Sequence, residues 1–227
     1  FYPLFEIELI IAGNMLHNQL HGDTSAADKL LVIGLATLLT VSVFSAIGYV
    51  ILDSEEGGPE FHGKNLNKMD VYKFTLSDTN LSDFSLTELD GQVVVLAFVY
   101  TRCDDVCLLI ANNLKFAKSQ LTDAELDKVS FVSVTIDWRH DSPEILGGWA
   151  EEMGLDWPHL TDWNSDEIIN TYTEYNVVPY DDDTYQDIHL QPVYILDTNL
   201  DGRVVWSEYD WPIDLFVEDL RTVIDLG

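Results

Sequence analysis

An uninterrupted run of seven apolar residues, Val93 to Val99, constrains the fold of this chain more than any other segment. Its β-branched and aromatic residues predict a buried strand. The run ends in a polar turn that contains Cys103, and apolar residues resume at Leu108. This order predicts a strand, then a loop, then a helix.

Cys103 and Cys107, the two cysteines of the chain, stand four residues apart at the start of the predicted helix. Unpaired backbone N–H groups and the positive end of the helix dipole favour thiolate over thiol there. Thiolates serve both metal binding and disulfide exchange, and positions i and i+4 lie close enough to share one ion. A purely structural disulfide is the third reading, although it would close too short a loop to stabilise the fold much.

The charge balance excludes several classes of partner. The chain has 40 Asp and Glu against 11 Lys and Arg, which gives a formal net charge of -29. A phosphate backbone or an anionic lipid surface would be repelled, so we expect no nucleic-acid partner. The acidic residues are spread along the chain, as is typical of a surface whose repulsion is screened by a high-salt environment.

One segment is apolar enough to cross a membrane. Residues 30–52 hold 23 consecutive residues without a charge. At about 1.5 Å per residue, a helix of this length spans roughly 34 Å, which matches the hydrocarbon core of a bilayer. The rival interpretation is a cleaved signal peptide, whose apolar region would be shorter and would end at a small-residue cleavage site. We therefore predict a retained single-pass transmembrane helix.

The membrane helix divides the chain into four parts. Residues 1–29 form an N-terminal extension, residues 53–69 are rich in glycine and charge and read as a linker, and residues 70–227 form a globular domain. Lysine and arginine counts near the helix do not decide its orientation. With the N-terminus inside, the domain would face the oxidising side, where a cysteine pair can cycle or bind metal.

The order of elements in the globular part predicts an α/β fold. Strand and helix alternate and are followed by a hairpin and a final helix, which is a thioredoxin-like arrangement: a central mixed sheet flanked by helices, with one additional helix. Ser142 and Pro143 carry the cap and first-turn residues of a helix start. The predicted strands are 71–76, 84–86, 92–100, 129–136, 193–197 and 203–207, and the predicted helices end near residue 120, start at 142, run from 164 to about 175, and cover 213–225.

Three segments in this order resemble one family, the Sco/SenC copper chaperones. Residues 94–107 are similar to its strand followed by T-x-C-P-D-V-C-P, and residues 132–144 are similar to its F-x-S-V-D-P-x-R-D-T-P-E segment. Residues 187–197 resemble its histidine followed by a strand that ends in aspartate. The resemblance covers residues 70–227 and also the single preceding anchor.

The resemblance implies a copper site made by Cys103, Cys107 and His189. Two sulfurs and one imidazole form a soft donor set suited to Cu(I) and able to hold Cu(II). It further implies a role in cytochrome c oxidase assembly, in which the protein delivers copper to the CuA site in subunit II of a haem-copper oxidase or reduces the cysteines of that site. The implied location is the cell membrane, with the C-terminal domain on the extracytoplasmic side.

Departures from the family pattern keep a second function open. Asp104 and Leu108 stand where the family has prolines, and Trp138 replaces another proline. Pro192 precedes a strand expected beside the cysteine loop, the place where thioredoxin-like reductases keep a cis-proline. The alternative is therefore a membrane-anchored thiol-disulfide oxidoreductase without a dedicated metal. A peroxidase of the same fold would need an arginine beside the reactive cysteine, and we expect Arg102 to point away from it.

One further motif has a plainer interpretation. Residues 197–202, followed by Glu208, match the spacing of a helix-flanked calcium loop. The flanking residues predict strands instead, so we expect an ordinary hairpin turn. Taken alone, His140 has a weak claim to a site role.

Overall fold

The computed structural model describes residues 25, 34, 37, 38, 58–103, 106–163, 165–180, 191–207 and 210–227. Two compact units, Phe1–Gly58 and Pro59–Gly227, divide the chain. In the first unit, residues 34, 37 and 38 are helical. No helix within the described residues is both long and apolar enough to cross a membrane, and the expected membrane helix 30–52 lies largely outside them.

Within the described residues, the second unit is built on one mixed sheet of eight strands. The strands are β1 Lys64–Asp70, β2 Thr75–Asp78, β3 Asp83–Ser85, β4 Val93–Val99, β5 Val129–Thr135, β6 His159–Thr161, β7 Val193–Leu196 and β8 Asp201–Trp206. Their order in the sheet is β1-β8-β7-β4-β5-β6-β2-β3. The parallel pairs are β4 with β5 and β5 with β6, and the other neighbours are antiparallel.

Helices connect and flank these strands. The helices are α1 Val106–Ser119, α2 Asp123–Leu126, α3 Pro143–Met153, α4 Ser165–Glu174 and α5 Ile213–Leu226, with a 3-10 helix at Leu86–Leu89. The longest two of these, α1 and α5, contact each other, and α5 presents a wide apolar face to the core.

Strand β4 forms the centre of the core. All seven of its residues are buried, and it lies between β5 on one side and β7 on the other. A strand covered on both faces has no solvated side, which explains why its sequence is apolar throughout rather than alternating. The prediction of an α/β fold with a central mixed sheet is confirmed.

Local sequence signals located most of the elements correctly. Helix α3 begins as predicted, with the Ser142 side chain accepting a hydrogen bond from the N–H of Ile145 and Pro143 in the first turn. Strands β7 and β8 form the expected hairpin, and its turn follows Asp197. The plain interpretation of the calcium-like motif is confirmed for residues 197–207, whereas Glu208 lies outside the described residues.

The first strand was not predicted. Residues 64–70, most of which were expected to belong to a linker, form β1 and pair with β8. The register shifts between Asn65 and Met69, where Asn67 and Lys68 adopt positive φ angles of 52° and 59°. This bulged edge strand is held by backbone pairing and has little apolar periodicity, so its sequence gives no strand signal. Strand β6 and helix α2 were also missed because they contain three and four residues.

Candidate metal centre

The two cysteines lie where β4 ends and α1 begins. Cys103 is in the loop that follows the strand, and Cys107 is the second residue of the helix. Both are free thiols, and their relative exposures are 4% and 0%. The sequence prediction of a strand, a cysteine loop and a helix is therefore confirmed.

The sulfur of Cys103 takes the place of a helix cap. The backbone N–H of Cys107 donates to Cys103 Sγ at 3.1 Å. N–H groups in the first turn of a helix have no partner within the helix, and a side-chain acceptor just before it commonly satisfies one of them. The positive end of α1 is thus directed at the first sulfur.

The second sulfur has a different environment. The Cys107 thiol donates to Gln191 Oε1 at 3.0 Å, and this contact is buried. Burial raises the pKa of Cys107 well above its ordinary value, and its interaction with the Cys103 side chain raises it further. Burial at Cys107 therefore acts against the thiolate that the helix start is expected to favour.

A buried carboxylate, that of Asp141, binds the backbone and side chain of Thr101 at the start of the cysteine loop. Asp141 has a relative exposure of 0% and accepts hydrogen bonds from the Thr101 N–H at 3.1 Å and the Thr101 hydroxyl at 2.5 Å. Thr135, at the end of β5, donates its hydroxyl to the same carboxylate at 2.5 Å. The loop that leads to Cys103 is therefore tied to the neighbouring strand and to the start of α3.

Arg102 packs on the same side of the loop as β5. Its Nε donates to Asp137 Oδ2 at 2.7 Å, and its guanidinium lies 4.5 Å from the ring centroid of Tyr180. Burial raises the pKa of Asp137 even though the ion pair with Arg102 acts in the opposite direction. Arg102 is engaged with this carboxylate and ring, as expected if it does not serve a peroxidatic cysteine.

Of the three predicted copper ligands, the structure brings Cys103 and Cys107 together, and His189 lies outside the described residues. Asp104 also lies outside them. Among the described residues, no group of three His, Cys, Asp or Glu side chains is arranged to hold a metal ion. The donors that the structure does describe are therefore the two sulfurs.

Pro192 stands directly before β7, the strand that pairs with β4. No peptide bond among the described residues is cis, so the Gln191–Pro192 bond is trans. His140 is exposed on the loop after β5.

Sequence reasoning missed two residues of this site. Gln191, which contacts Cys107, immediately precedes β7, and β7 pairs with β4; this placement beside the cysteine loop was the signal that could have found it. Asp141 lies within the second family-like segment, and its position just before the cap residue Ser142 gave no indication that it binds a loop 40 residues away.

Residues 64–225 match the family model described as SCO1/SenC. The chain belongs to this family. It is 24% identical over 168 residues to the SCO1 protein homolog of Bacillus subtilis (strain 168), a match that covers 69% of this chain and 84% of that relative.

Solved structures show the same fold. BsSco, described as a member of the Sco family of cytochrome c oxidase assembly proteins and as containing a disulfide switch, aligns with a TM-score of 0.62 at 22% identity. That alignment covers 73% of this chain and 98% of BsSco. Yeast Sco1 with copper bound aligns with a TM-score of 0.59 at 19% identity, covering 70% of this chain and 90% of the other. The thioredoxin-like Sco fold expected from the sequence is confirmed.

Proposed function

We propose that this protein is a membrane-anchored copper chaperone that serves the CuA site in subunit II of a haem-copper oxidase, either by delivering copper or by maintaining the cysteines of that site. The observation that carries the proposal is the pair of buried free cysteines at the start of α1, with the N–H of Cys107 on the sulfur of Cys103. Family membership and the copper-bound relative from yeast support it.

The donor set fits copper as cargo. Cys103 and Cys107 supply two soft sulfur ligands, which favour Cu(I), and His189 would add an imidazole that also suits Cu(II). His189 is two residues before Gln191 in the sequence, and two residues span at most about 7 Å. Gln191 contacts the Cys107 sulfur, and the short distance in sequence between His189 and Gln191 supports His189 as the third ligand in this proposal.

Burial of the two sulfurs affects how they bind copper and how they react with oxidants. Copper binding displaces the thiol protons, so binding weakens as the pH falls, and the raised pKa of Cys107 makes its proton harder to displace. Burial also shields the sulfurs from water and from exogenous oxidants. The helix N–H on Cys103 remains available to stabilise negative charge on that sulfur when a metal binds.

The proposal also includes attachment of the chain to the membrane. Residues 30–52 would anchor the chain by one helix, and the Pro59–Gly227 unit would lie on the extracytoplasmic side. There the thiol pair could meet a membrane-embedded oxidase. The strong negative charge of the chain would attract a cationic cargo or a cationic partner surface.

The test is copper titration of the reduced full-length chain. Cys103→Ser, Cys107→Ser and His189→Ala should each abolish stoichiometric copper binding and thiolate-to-Cu(II) absorption while circular dichroism shows an intact fold. His62→Ala is the matched control, because His62 pairs with Glu218 on the surface and should leave binding unchanged. Tight copper binding retained by all three site variants would refute the copper assignment.

A thiol-disulfide oxidoreductase is the second candidate, favoured by the direct contact between the two cysteines. In that reaction the two thiols would lose two protons and two electrons to form a disulfide, while a disulfide of the target is reduced to two thiols. A wild-type protein that binds no copper but exchanges disulfides rapidly would support this candidate. Stoichiometric binding with slow exchange would support the chaperone.

A further inference from the structure

The cysteine loop is positioned by a residue that does not touch either sulfur. We propose that Asp141 is a positioning residue for the cysteine pair, because its carboxylate accepts two hydrogen bonds from Thr101, two residues before Cys103, and a third from Thr135. The proposal deepens the proposed function and depends on it only where copper is the probe.

The first observation is the pair of hydrogen bonds that Thr101 donates to the Asp141 carboxylate. Asp141 Oδ2 accepts the Thr101 N–H at 3.1 Å, and Oδ1 accepts the Thr101 hydroxyl at 2.5 Å. Two bonds from one residue to one carboxylate fix the orientation of that residue as well as its distance. Thr101 is separated from Cys103 by Arg102 alone, so the start of the loop has little freedom.

The second observation is that Asp141 is itself held in place by further hydrogen bonds. The Thr135 hydroxyl accepts the Asp137 N–H at 3.0 Å and is therefore oriented to donate to Asp141 Oδ2. The backbone of Asp141 is held as well: its N–H donates to Asp137 O at 2.8 Å, and its carbonyl accepts the Thr161 hydroxyl at 2.9 Å. Asp141 is thus bound by Thr135 of β5, by Thr161 of β6 and by Thr101 in the loop after β4.

The third observation is the connection from Thr101 to the two cysteine sulfurs. Cys103 follows the fixed Thr101, and its sulfur receives the N–H of Cys107. A displacement at Thr101 would move the first sulfur away from the end of α1 and from the second sulfur. Among the described residues, Asp141 forms no ion pair, and the groups that donate to its carboxylate are the neutral Thr101 N–H and the hydroxyls of Thr101 and Thr135.

The experiment compares Asp141→Ala with a buried carboxylate that holds a different loop. Asp219 is 1% exposed and accepts the N–H groups of His62 and Gly63 at 2.8 Å each. Asp219→Ala therefore removes a similar set of bonds without a hydrogen bond to the cysteine loop. Asp141→Asn is the conservative variant, because one amide oxygen can still accept from Thr101 N–H and the Thr101 hydroxyl can turn to accept.

Two readouts are measured on the full-length reduced chain: the rate of cysteine alkylation in the absence of copper, and the affinity for copper alone. We expect Asp141→Ala to raise the alkylation rate at least tenfold and to weaken copper binding about 10- to 100-fold, the usual effect of removing a residue that orients ligands. Asp141→Asn should restore both values to within about threefold of wild type. Asp219→Ala should change neither, although it lowers stability.

The outcomes separate this inference from the proposed function. A wild-type chain that binds no copper refutes the proposed function, and the alkylation rates still test the positioning. Equal effects of Asp141→Ala and Asp219→Ala would overturn the inference, as would an Asp141→Asn variant as impaired as Asp141→Ala. If Asp141→Ala does not fold, Thr101→Val decides: faster alkylation supports the inference, and the wild-type rate overturns it.

Discussion

Two buried carboxylates lie at opposite ends of the central sheet, and their partners differ in kind. At the end where β4 runs into the cysteine loop, Asp141 is bound by the neutral donors of Thr101 and Thr135. At the other end, Asp197 forms an ion pair with the buried Arg203 at 3.1 Å and accepts two backbone N–H groups of its own turn.

The two arrangements differ most in reach along the chain. The partners of Asp197 are two to six residues away, so this carboxylate closes a local hairpin. Asp141 binds Thr101, which is 40 residues away, and it joins segments that meet only in the folded protein. The hairpin end therefore serves stability, whereas the carboxylate at the cysteine end also controls the geometry of a site.

The largest expected effect tests the hairpin end. Arg203→Met removes the cation from a pair whose partners are 6% and 3% exposed and leaves Asp197 buried without it. Breaking a buried ion pair from one side costs about 3 to 5 kcal/mol of unfolding free energy. Denaturant titration should show this loss, while copper binding per folded molecule stays at the wild-type value. A loss below about 1 kcal/mol would contradict the comparison.

His159 extends the comparison to a buried group with no hydrogen-bond partner among the described residues. Its ring lies against Trp149 and Trp157, and burial lowers its pKa from 6.5 to about 4. Between these values the unfolded chain binds a proton that the native protein does not, so stability falls as the pH falls through this range.

His159→Phe should remove this dependence. Relative to the variant, the wild type should lose about 3 kcal/mol of unfolding free energy between pH 6.5 and pH 4, with no further relative loss below pH 4. Denaturant titrations of both proteins at several pH values measure the difference. Parallel pH profiles for the two proteins would show that His159 is not the group responsible.

The smallest predicted loss of unfolding free energy is at the cysteine end of the sheet. Gln191→Leu removes the amide oxygen that accepts the Cys107 thiol hydrogen but keeps a side chain of similar size. A neutral hydrogen bond contributes about 0.5 to 1.5 kcal/mol, so the loss of unfolding free energy should stay in that range. A loss as large as that of Arg203→Met would mean that the two ends do not differ as proposed.

Local signals explain which parts of the fold could be predicted. Val93 to Val99 is apolar at every position because β4 is covered on both faces, and Ser142 with Pro143 supplies the cap and first-turn residues that start α3. Lys64–Asp70 has no such pattern, because it is an edge strand held by backbone pairing with β8. A helix or strand can be predicted when its own side chains show an apolar pattern or a cap residue. It cannot be predicted when it forms only by backbone pairing with another strand.

The sequence by itself determined the strand, the cysteine loop and the helix that follows it, since apolar pattern and helix-start chemistry act over a few residues. It also placed the two cysteines four residues apart around the start of that helix. Only the tertiary structure decided the environment of each sulfur. Cys103 caps α1, whereas Cys107 is buried against Gln191, and Asp141 holds their loop from another part of the chain. Such contacts depend on which segments the sheet brings together, and that cannot be read from residues that are neighbours in sequence alone.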